Sequence, residues 1–490
     1  MNKPIRTISI FCLLLFLALM LNATYLQYWK SGKLNDDPRN RRVLVASYAR
    51  ERGAILVGRT SVAQSVESDD EYKFQRTYPK PLVYAPITGW FSYFGQTGVE
   101  RSQNDVLSGD DSRLFVTKLV DLLSNNPTKG GNVQLTIDPD AQQAAYDGLK
   151  ALGPSVQGSV VALQPSTGKV LAMVSLPTYD PNKLASHDLS AASDTYDRLD
   201  KDPAQPLLNR GIQTRLPPGS TFKVVTAAAA IEKGLYTASD TVPGGVTYQL
   251  PLTRDDSGLI DNEGRSCGAN GTRIPFSQAM EQSCNTTFAA LAGEVGAEDM
   301  AKTAEGFGFN QHYFDDISPQ AVSVFPTDIN TAELGQTGFG QFEVAATPLQ
   351  MAMVAAGLAN GGTVMKPYLV DEQQDADLDV VDKTDPEELS QAVSATTASE
   401  VTKLMVDTVN EGTASPGAIP GISVAGKTGT AQSGIDDVPP YAWYISFAPA
   451  DNPEVAVAVM IQKADIPRGE IAGGVYGGPI AKAVMEAVVK

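Results

Sequence analysis

L-P-P-G-S-T-F-K-V-V-T-A-A-A-A-I-E-K-G, residues 216–234, is the stretch on which both fold and chemistry turn. Two prolines and Gly219 stop whatever precedes it, Ser220 stands where a helix N-cap belongs, and Gly234 marks the helix end. Between them Val224, Val225, Ala227 to Ala230 and Ile231 are apolar on nearly every face, so the helix reads as buried. Lys223 breaks that pattern. In the first turn its cation faces the positive end of the helix dipole, and burial adds a desolvation cost, so both push its pKa down. A neutral lysine is a base, and i, i+3 spacing sets it beside Ser220 on one helix face. A serine hydroxyl is a poor nucleophile until its proton is taken, so the pair offers attacking group and base within one turn. Taken alone, the fragment reads equally well as a capping serine with a snorkelling lysine.

Two further motifs change that balance. Ser283-Cys284-Asn285 enters a predicted helix from Thr286 to Val295, and Lys427-Thr428-Gly429-Thr430, the only K-T-G in the chain, falls in a predicted strand. A second S-x-x-K, Ser166 to Lys169, sits in a hairpin turn and is assigned no chemistry; it lacks the glycine and hydroxyl residues of a phosphate loop. The ordered set S-x-x-K, S-x-N, K-T-G is the signature of penicillin-binding proteins and class A β-lactamases.

The chain resembles the class B, or monofunctional, penicillin-binding proteins over nearly its whole length, above all the short actinobacterial members grouped as penicillin-binding protein A. Arg52-Gly53-Ala54-Ile55 is similar to the R-G-x-I that opens the family's pedestal. Gly158 to Leu163 and Pro177 to Asn182 match the start of its transpeptidase domain, and Gly338-Phe339-Gly340-Gln341 with Thr347 to Ala352 matches the segment before the third motif. The chemistry expected of these motifs gives Ser220 the attack and Lys223 its proton. Ser283 relays a proton towards the leaving amine, and Asn285 holds Lys223 and the substrate backbone. Lys427 sets the field in which a peptide carboxylate docks, the hydroxyls of Thr428 and Thr430 bond it, and Gly429 lets substrate lie close to the strand. The resemblance also implies an oxyanion hole from the backbone N–H groups of Ser220 and Thr430, typically worth ~3–4 kcal/mol per donor.

Cys267 and Cys284 are the only cysteines outside the apolar N-terminus and read as either a disulfide or two buried thiols. A bond would add about 3 kcal/mol on the loop-entropy model. The family's variable middle position in S-x-N argues against a thiol nucleophile at Cys284.

Around the motifs, Gly158–Leu163 and Lys169–Ser175 predict a β-hairpin, and Ile422–Ala425, Trp443–Phe447 and Val455–Ile461 predict three late strands. Pro479 to Lys490 reads as a closing helix with proline at its start. The expected fold is α+β: an N-terminal transmembrane anchor, a small elongated α+β pedestal, and a catalytic domain whose five-stranded antiparallel sheet is flanked by helices. The boundaries are 1–30 for cytoplasmic stub and anchor, 31–150 for a non-catalytic, dimerisation-like pedestal, and 151–490 for the transpeptidase domain. Residues 371–388, acidic and carrying Pro386, read as a solvated loop.

Lys3 and Arg6 precede an apolar run from Ile8 to Leu26, close to the ~20 residues a spanning helix needs. Tyr25, Tyr28 and Trp29 suit the far interface, and the leading charges keep the N-terminus cytoplasmic. A cleaved signal peptide is the rival reading, but no clear A-x-A site follows the run. Composition is ordinary for a globular protein, 42% hydrophobic and 19% charged. The net charge of −18 argues against nucleic acid as a partner. Two histidines, no C-x-x-C and no H-E-x-x-H leave metal sites and a Ser-His-Asp triad without support. No cofactor is expected.

The expectation is therefore a single-pass, membrane-anchored peptidoglycan D,D-transpeptidase with its catalytic domain outside the cytoplasm, acylated at Ser220 by stem peptides and by β-lactams. The resemblance further implies a membrane-embedded SEDS-type glycan polymerase and other cell-wall synthesis proteins as partners. The alternatives are a D,D-carboxypeptidase or β-lactamase, for which no water-activating glutamate is identifiable, and a non-catalytic scaffold or penicillin sensor.

Overall fold

Mean hydropathy reaches 2.2 along Lys3–Trp29, the one helix long and apolar enough to cross a membrane among the described residues. The computed structural model describes residues 2–30, 48–70, 72–114, 129–434, 438–467 and 470–489. The charged run Asp37–Arg42 lies outside them. Helix α1 (Asn2–Thr24) passes into a wide turn at Tyr25–Trp29, where the Trp29 ring meets those of Tyr25 and Tyr28. An apolar helix of which no part is buried among the described residues is suited to lipid, which is consistent with a single-pass anchor.

The pedestal is built on a six-stranded sheet in the order Val380–Lys383, Val370–Gln374, Asn132–Leu135, Ile55–Val57, Thr60–Glu67, Phe74–Thr77. Its first two strands span 370–383 and so take up most of 371–388, and the expected solvated loop is corrected: the acidic segment is a hairpin that pairs edge-on with Asn132–Leu135. Its exposed charges are those of an edge strand, where they discourage pairing with another chain. Glu100 lies wholly buried in the pedestal and accepts from Arg52 Nε at 2.7 Å, Arg76 Nε at 2.6 Å and the Tyr78 hydroxyl at 3.1 Å. Burial pushes the Glu100 carboxyl up, but the Arg76 and Arg52 charges outweigh it and hold the group below the usual carboxylate range.

Helix α2 (Pro139–Lys150), whose N-cap Asp138 accepts from the N–H groups of Asp140 and Ala141, precedes the second large sheet. The strands β1 (Gln157–Leu163), β2 (Val170–Leu176), β3 (Ala425–Ala431), β4 (Tyr441–Ala448) and β5 (Val455–Lys463) form one sheet in the order β3-β4-β5-β1-β2. Every pairing in it is antiparallel, as expected, and β3 is a free edge. β3 begins at Ala425 rather than Ile422, because Gly421 at φ +79° keeps Ile419–Ile422 in a tight turn.

All residues of β2 and β4 are buried, so helices must cover both faces. On one side lie α3 (Lys223–Glu232), α4 (Asn285–Val295), α5 (Pro348–Ala359) and α6 (Ala395–Asn410); α2 and α7 (Gly473–Val488) pack the other. The closing helix starts at Gly473, placing Pro479 inside it rather than at its first turn. Packing overrides propensity here: a Cβ at Gly473 would stand 2.0 Å from the Trp443 carbonyl oxygen, and one at Gly477 would stand 2.7 Å from Tyr444 Cβ. The glycine-rich turns let α7 lie directly on β4.

Candidate active site

The nucleophile stretch departs from its expected local form. Gly219–Phe222 make one 3₁₀ turn and α3 proper begins at Lys223, so Phe222 (φ −69°, ψ −17°), not Ser220, holds the N-cap position. Gly219 turns the chain at φ +54°, and Phe222 and Lys223 are already helical, so the α-helix starts three residues past Ser220. Ser220 is thereby left to line a cavity of about 580 Å³, a size suited to a small-molecule or peptide ligand. The turn is fixed from outside: the Gly219 N–H donates to the Gly340 carbonyl at 3.0 Å, and Thr226 Oγ1 donates to the Gly338 carbonyl at 2.7 Å. Gly340 has φ +73°, and a Cβ there would stand 2.2 Å from the Gly219 carbonyl oxygen. The Gly338–Gln341 segment thus supports the nucleophile.

Lys223 is fully buried, and its Nζ lies 2.6 Å from the Ser283 carbonyl, 3.1 Å from Ser283 Oγ and 2.7 Å from Asn285 Oδ1. Lys427, equally buried on β3, donates to the same Ser283 Oγ at 2.9 Å. One hydroxyl therefore joins two amines. Burial pushes the Lys223 amine well below the ordinary lysine range; the Lys427 and Arg265 charges lower it further and Glu263 opposes them. Desolvation is one of the two expected causes, and the neighbouring cations Lys427 and Arg265 add to it. Lys427 is lowered in the same way, by burial first and then by Arg265.

Ser283 takes the left-handed conformation, φ +57°, at the turn between the helix Phe276–Glu281 and α4. Asn285 lines the cavity; its Oδ1 holds Lys223, and its Nδ2 donates to the Asp261 carbonyl at 3.1 Å. Cys267 and Cys284 are bonded, which decides between the two readings of that pair.

Thr428 and Thr430 line the same cavity on the free edge of the sheet, with Thr428 Oγ1 2.9 Å from Thr413 Oγ1. Thr430 and Ser220 lie together: a Cβ at Gly219 would stand 3.0 Å from the Thr430 carbonyl oxygen. A side chain at Gly429 would meet the Pro218 carbonyl at 2.8 Å, so the glycine also brings the nucleophile turn against the strand.

Sequence reasoning missed Arg265, Glu263 and Thr413, all of which line the cavity. Arg265 Nη1 donates to the Ser283 carbonyl at 3.0 Å and its Nη2 pairs with Glu263. No periodicity marks these residues; only the nearness of Arg265 to Cys267 could have drawn notice. Among the described residues Glu263 is the one carboxylate lining the cavity, and it is engaged by Arg265. Both histidines lie elsewhere, His187 beside Asp70 and His312 beside Asp315. Lys169 of the second S-x-x-K pairs with Asp371 at 2.9 Å outside the cavity.

Comparison with known proteins follows the same division of the chain. The family described as penicillin binding protein transpeptidase domain matches residues 158–486, and that described as penicillin binding protein A dimerisation domain matches residues 52–133. The chain is 42% identical over 501 residues to the peptidoglycan D,D-transpeptidase PbpA of Mycolicibacterium smegmatis, covering 100% of this chain and 99% of that protein. Against PbpA of Mycobacterium tuberculosis it is 42% identical over 496 residues, with the same coverage. The structure is similar to penicillin-binding protein A from M. tuberculosis in its ceftriaxone acyl-enzyme complex (TM-score 0.84, 40% identity, 91% of this chain and 100% of that one). The imipenem acyl-enzyme complex of the same protein gives a TM-score of 0.83 at 40% identity, again over 91% and 100%.

Proposed function

The chain belongs to the penicillin-binding protein transpeptidase family and is a peptidoglycan D,D-transpeptidase, and from this we propose that Ser220 carries the acyl group on a centre completed by Lys223, Ser283, Asn285 and Lys427. The observation that carries this reading is the single hydroxyl of Ser283 bonded to both buried lysines at the cavity that Ser220 lines.

Ser220 Oγ attacks the carbonyl of the penultimate D-Ala of a stem peptide. Lys223, neutral in its buried site, takes the hydroxyl proton. A neutral amine has two N–H bonds, which the Ser283 carbonyl and Asn285 Oδ1 accept, and one lone pair left for that proton. The oxyanion of the tetrahedral intermediate is met by the N–H groups of Ser220 and Thr430, each worth ~3–4 kcal/mol. Lys223 then passes the proton through Ser283 Oγ to the departing D-Ala amine, while Lys427 on the far side of Ser283 supplies positive potential. The terminal carboxylate docks at the hydroxyls of Thr428 and Thr430. An amine from a second stem attacks the acyl-enzyme and forms the cross-link. A β-lactam enters as the donor mimic: Ser220 opens the ring and stays acylated, as in the relative's acyl-enzyme complexes.

The same reading keeps the division 1–30, 31–150 and 151–490 in outline, with helix α2 (Pro139–Lys150) packed on the catalytic sheet and the hairpin at 370–383 returning to the pedestal sheet. It puts the N-terminus in the cytoplasm and the remainder outside, where the Cys267–Cys284 bond persists. Anchor and pedestal would then dock a SEDS-type polymerase and other cell-wall synthesis proteins in the membrane. A donor peptide ending in D-Ala-D-Ala, incubated with a labelled D-amino acid, tests the chemistry. Wild type releases D-Ala and incorporates label, and Ser220→Ala does neither. Exchange that survives in Ser220→Ala would remove the assignment.

A further inference from the structure

The loop from Asp261 to Cys267 touches every residue of the Ser283–Thr286 segment. The Asp261 carbonyl accepts from Asn285 Nδ2 at 3.1 Å, and Asn262 Oδ1 accepts from the Thr286 N–H at 3.0 Å. Cys267 is bonded to Cys284, and Arg265 Nη1 donates to the Ser283 carbonyl at 3.0 Å. That carbonyl is also the nearest polar contact of Lys223 Nζ, at 2.6 Å. Ser283 sits at φ +57°, which a residue with a side chain adopts only when its surroundings hold it there. Its carbonyl is therefore fixed between two cations, and Arg265 is itself held by Glu263.

We propose that Arg265 is a positioning residue of the acyl-transfer centre, clamping the Ser283 carbonyl from which the Lys223 amine hangs, with Glu263 as its brace. The proposal rests on the roles given above to Ser220 and Lys223. It makes the loop part of the catalytic apparatus although, in this arrangement, Arg265 aligns Lys223 through Ser283 and contacts no reacting atom. The charges facing Lys223 are Lys427 from β3 and Arg265 and Glu263 from the loop, while α4 contributes the neutral Asn285 and the Phe288 ring. Arg265 lowers the proton affinity of the amine and Glu263 raises it, so the two have opposite signatures.

The test is the rate constant for acylation by benzylpenicillin, measured across pH on the full chain in detergent. Acylation needs Lys223 unprotonated and so rises with pH. Arg265→Gln is expected to lower the neutral-pH rate by roughly tenfold, as for losing a hydrogen bond from a charged group, and to move the rise to higher pH. Glu263→Gln moves it to lower pH. Arg265→Lys keeps the charge and restores the position of the rise but only part of the rate, because an ammonium lacks the guanidinium fork. A rise unmoved in both Gln variants, or rate lost equally at every pH in Arg265→Gln and Arg265→Lys, would overturn the proposal. Ser220→Ala, run alongside, separates the two claims: acylation surviving there defeats the underlying reading, whereas its absence with unaltered loop variants defeats the proposal for Arg265 alone.

Discussion

Ser283 Oγ stands 3.1 Å from one buried amine and 2.9 Å from another, so removing it disconnects Lys223 from Lys427. Ser283→Ala is expected to slow D-amino acid exchange by about 10²–10⁴-fold, the usual worth of a proton-transfer group. Lys223→Ala should be at least as severe, and the double variant no worse than the poorer single, because the groups act as one unit. Exchange kinetics on the three variants check this; additive losses would count against it. The pH profile has a definite sign as well. The Lys223 pKa lies well below the ordinary lysine range, so the rise of acylation with pH should fall below that range too, and Lys223→Arg, which cannot release its proton, should stay silent throughout. The motif residues were legible in the sequence because each is written in a short run at a fixed spacing. Ser220 as an N-cap was not correct, and the cations beside Lys223 were not foreseen, since a 3₁₀ turn and a second buried lysine depend on distant chain. Arg265 stayed invisible for the same reason: it meets Ser283 through an irregular loop that carries no period.

The turn bearing Ser220 is held by the Gly338–Gln341 segment. Gly340 has φ +73°, and any Cβ would press on the Gly219 carbonyl, so Gly340→Ala must shift the nucleophile turn or strain it. We expect a loss of about 1–3 kcal/mol in stability together with slower acylation. Denaturant titration and the acylation rate on one preparation check both; a change in stability alone would separate Gly340 from the site. The strands of the catalytic sheet were legible from apolar runs bounded by turn residues. The start of α7 was not, because Gly473 and Gly477 lower helix propensity for the sake of close approach to β4. The acidic hairpin at 370–383 was missed too, since its pairing partner Asn132–Leu135 lies far off in sequence.

Across the whole molecule, the pedestal is organised by a charge cluster remote from the chemistry. Glu100 pairs with both Arg52 and Arg76, and Arg76 Nη1 also donates to the Gly53 carbonyl at 2.7 Å. Glu100→Gln would leave two buried cations without a counter-charge, expected to cost about 3–5 kcal/mol. Acylation per folded molecule should stay at the wild-type rate, which active-site titration against thermal unfolding separates. The Arg52-Gly53-Ala54-Ile55 signature marked the place in the sequence, but its partner Glu100 could be found only from the fold. The central claim remains that Ser220 becomes a covalent acyl carrier. Intact-protein mass spectrometry after benzylpenicillin, followed by peptide mapping, tests it most directly: one penicilloyl group is expected on the peptide containing Ser220, absent from Ser220→Ala. An adduct mapped to any other residue, or retained in that variant, would contradict it.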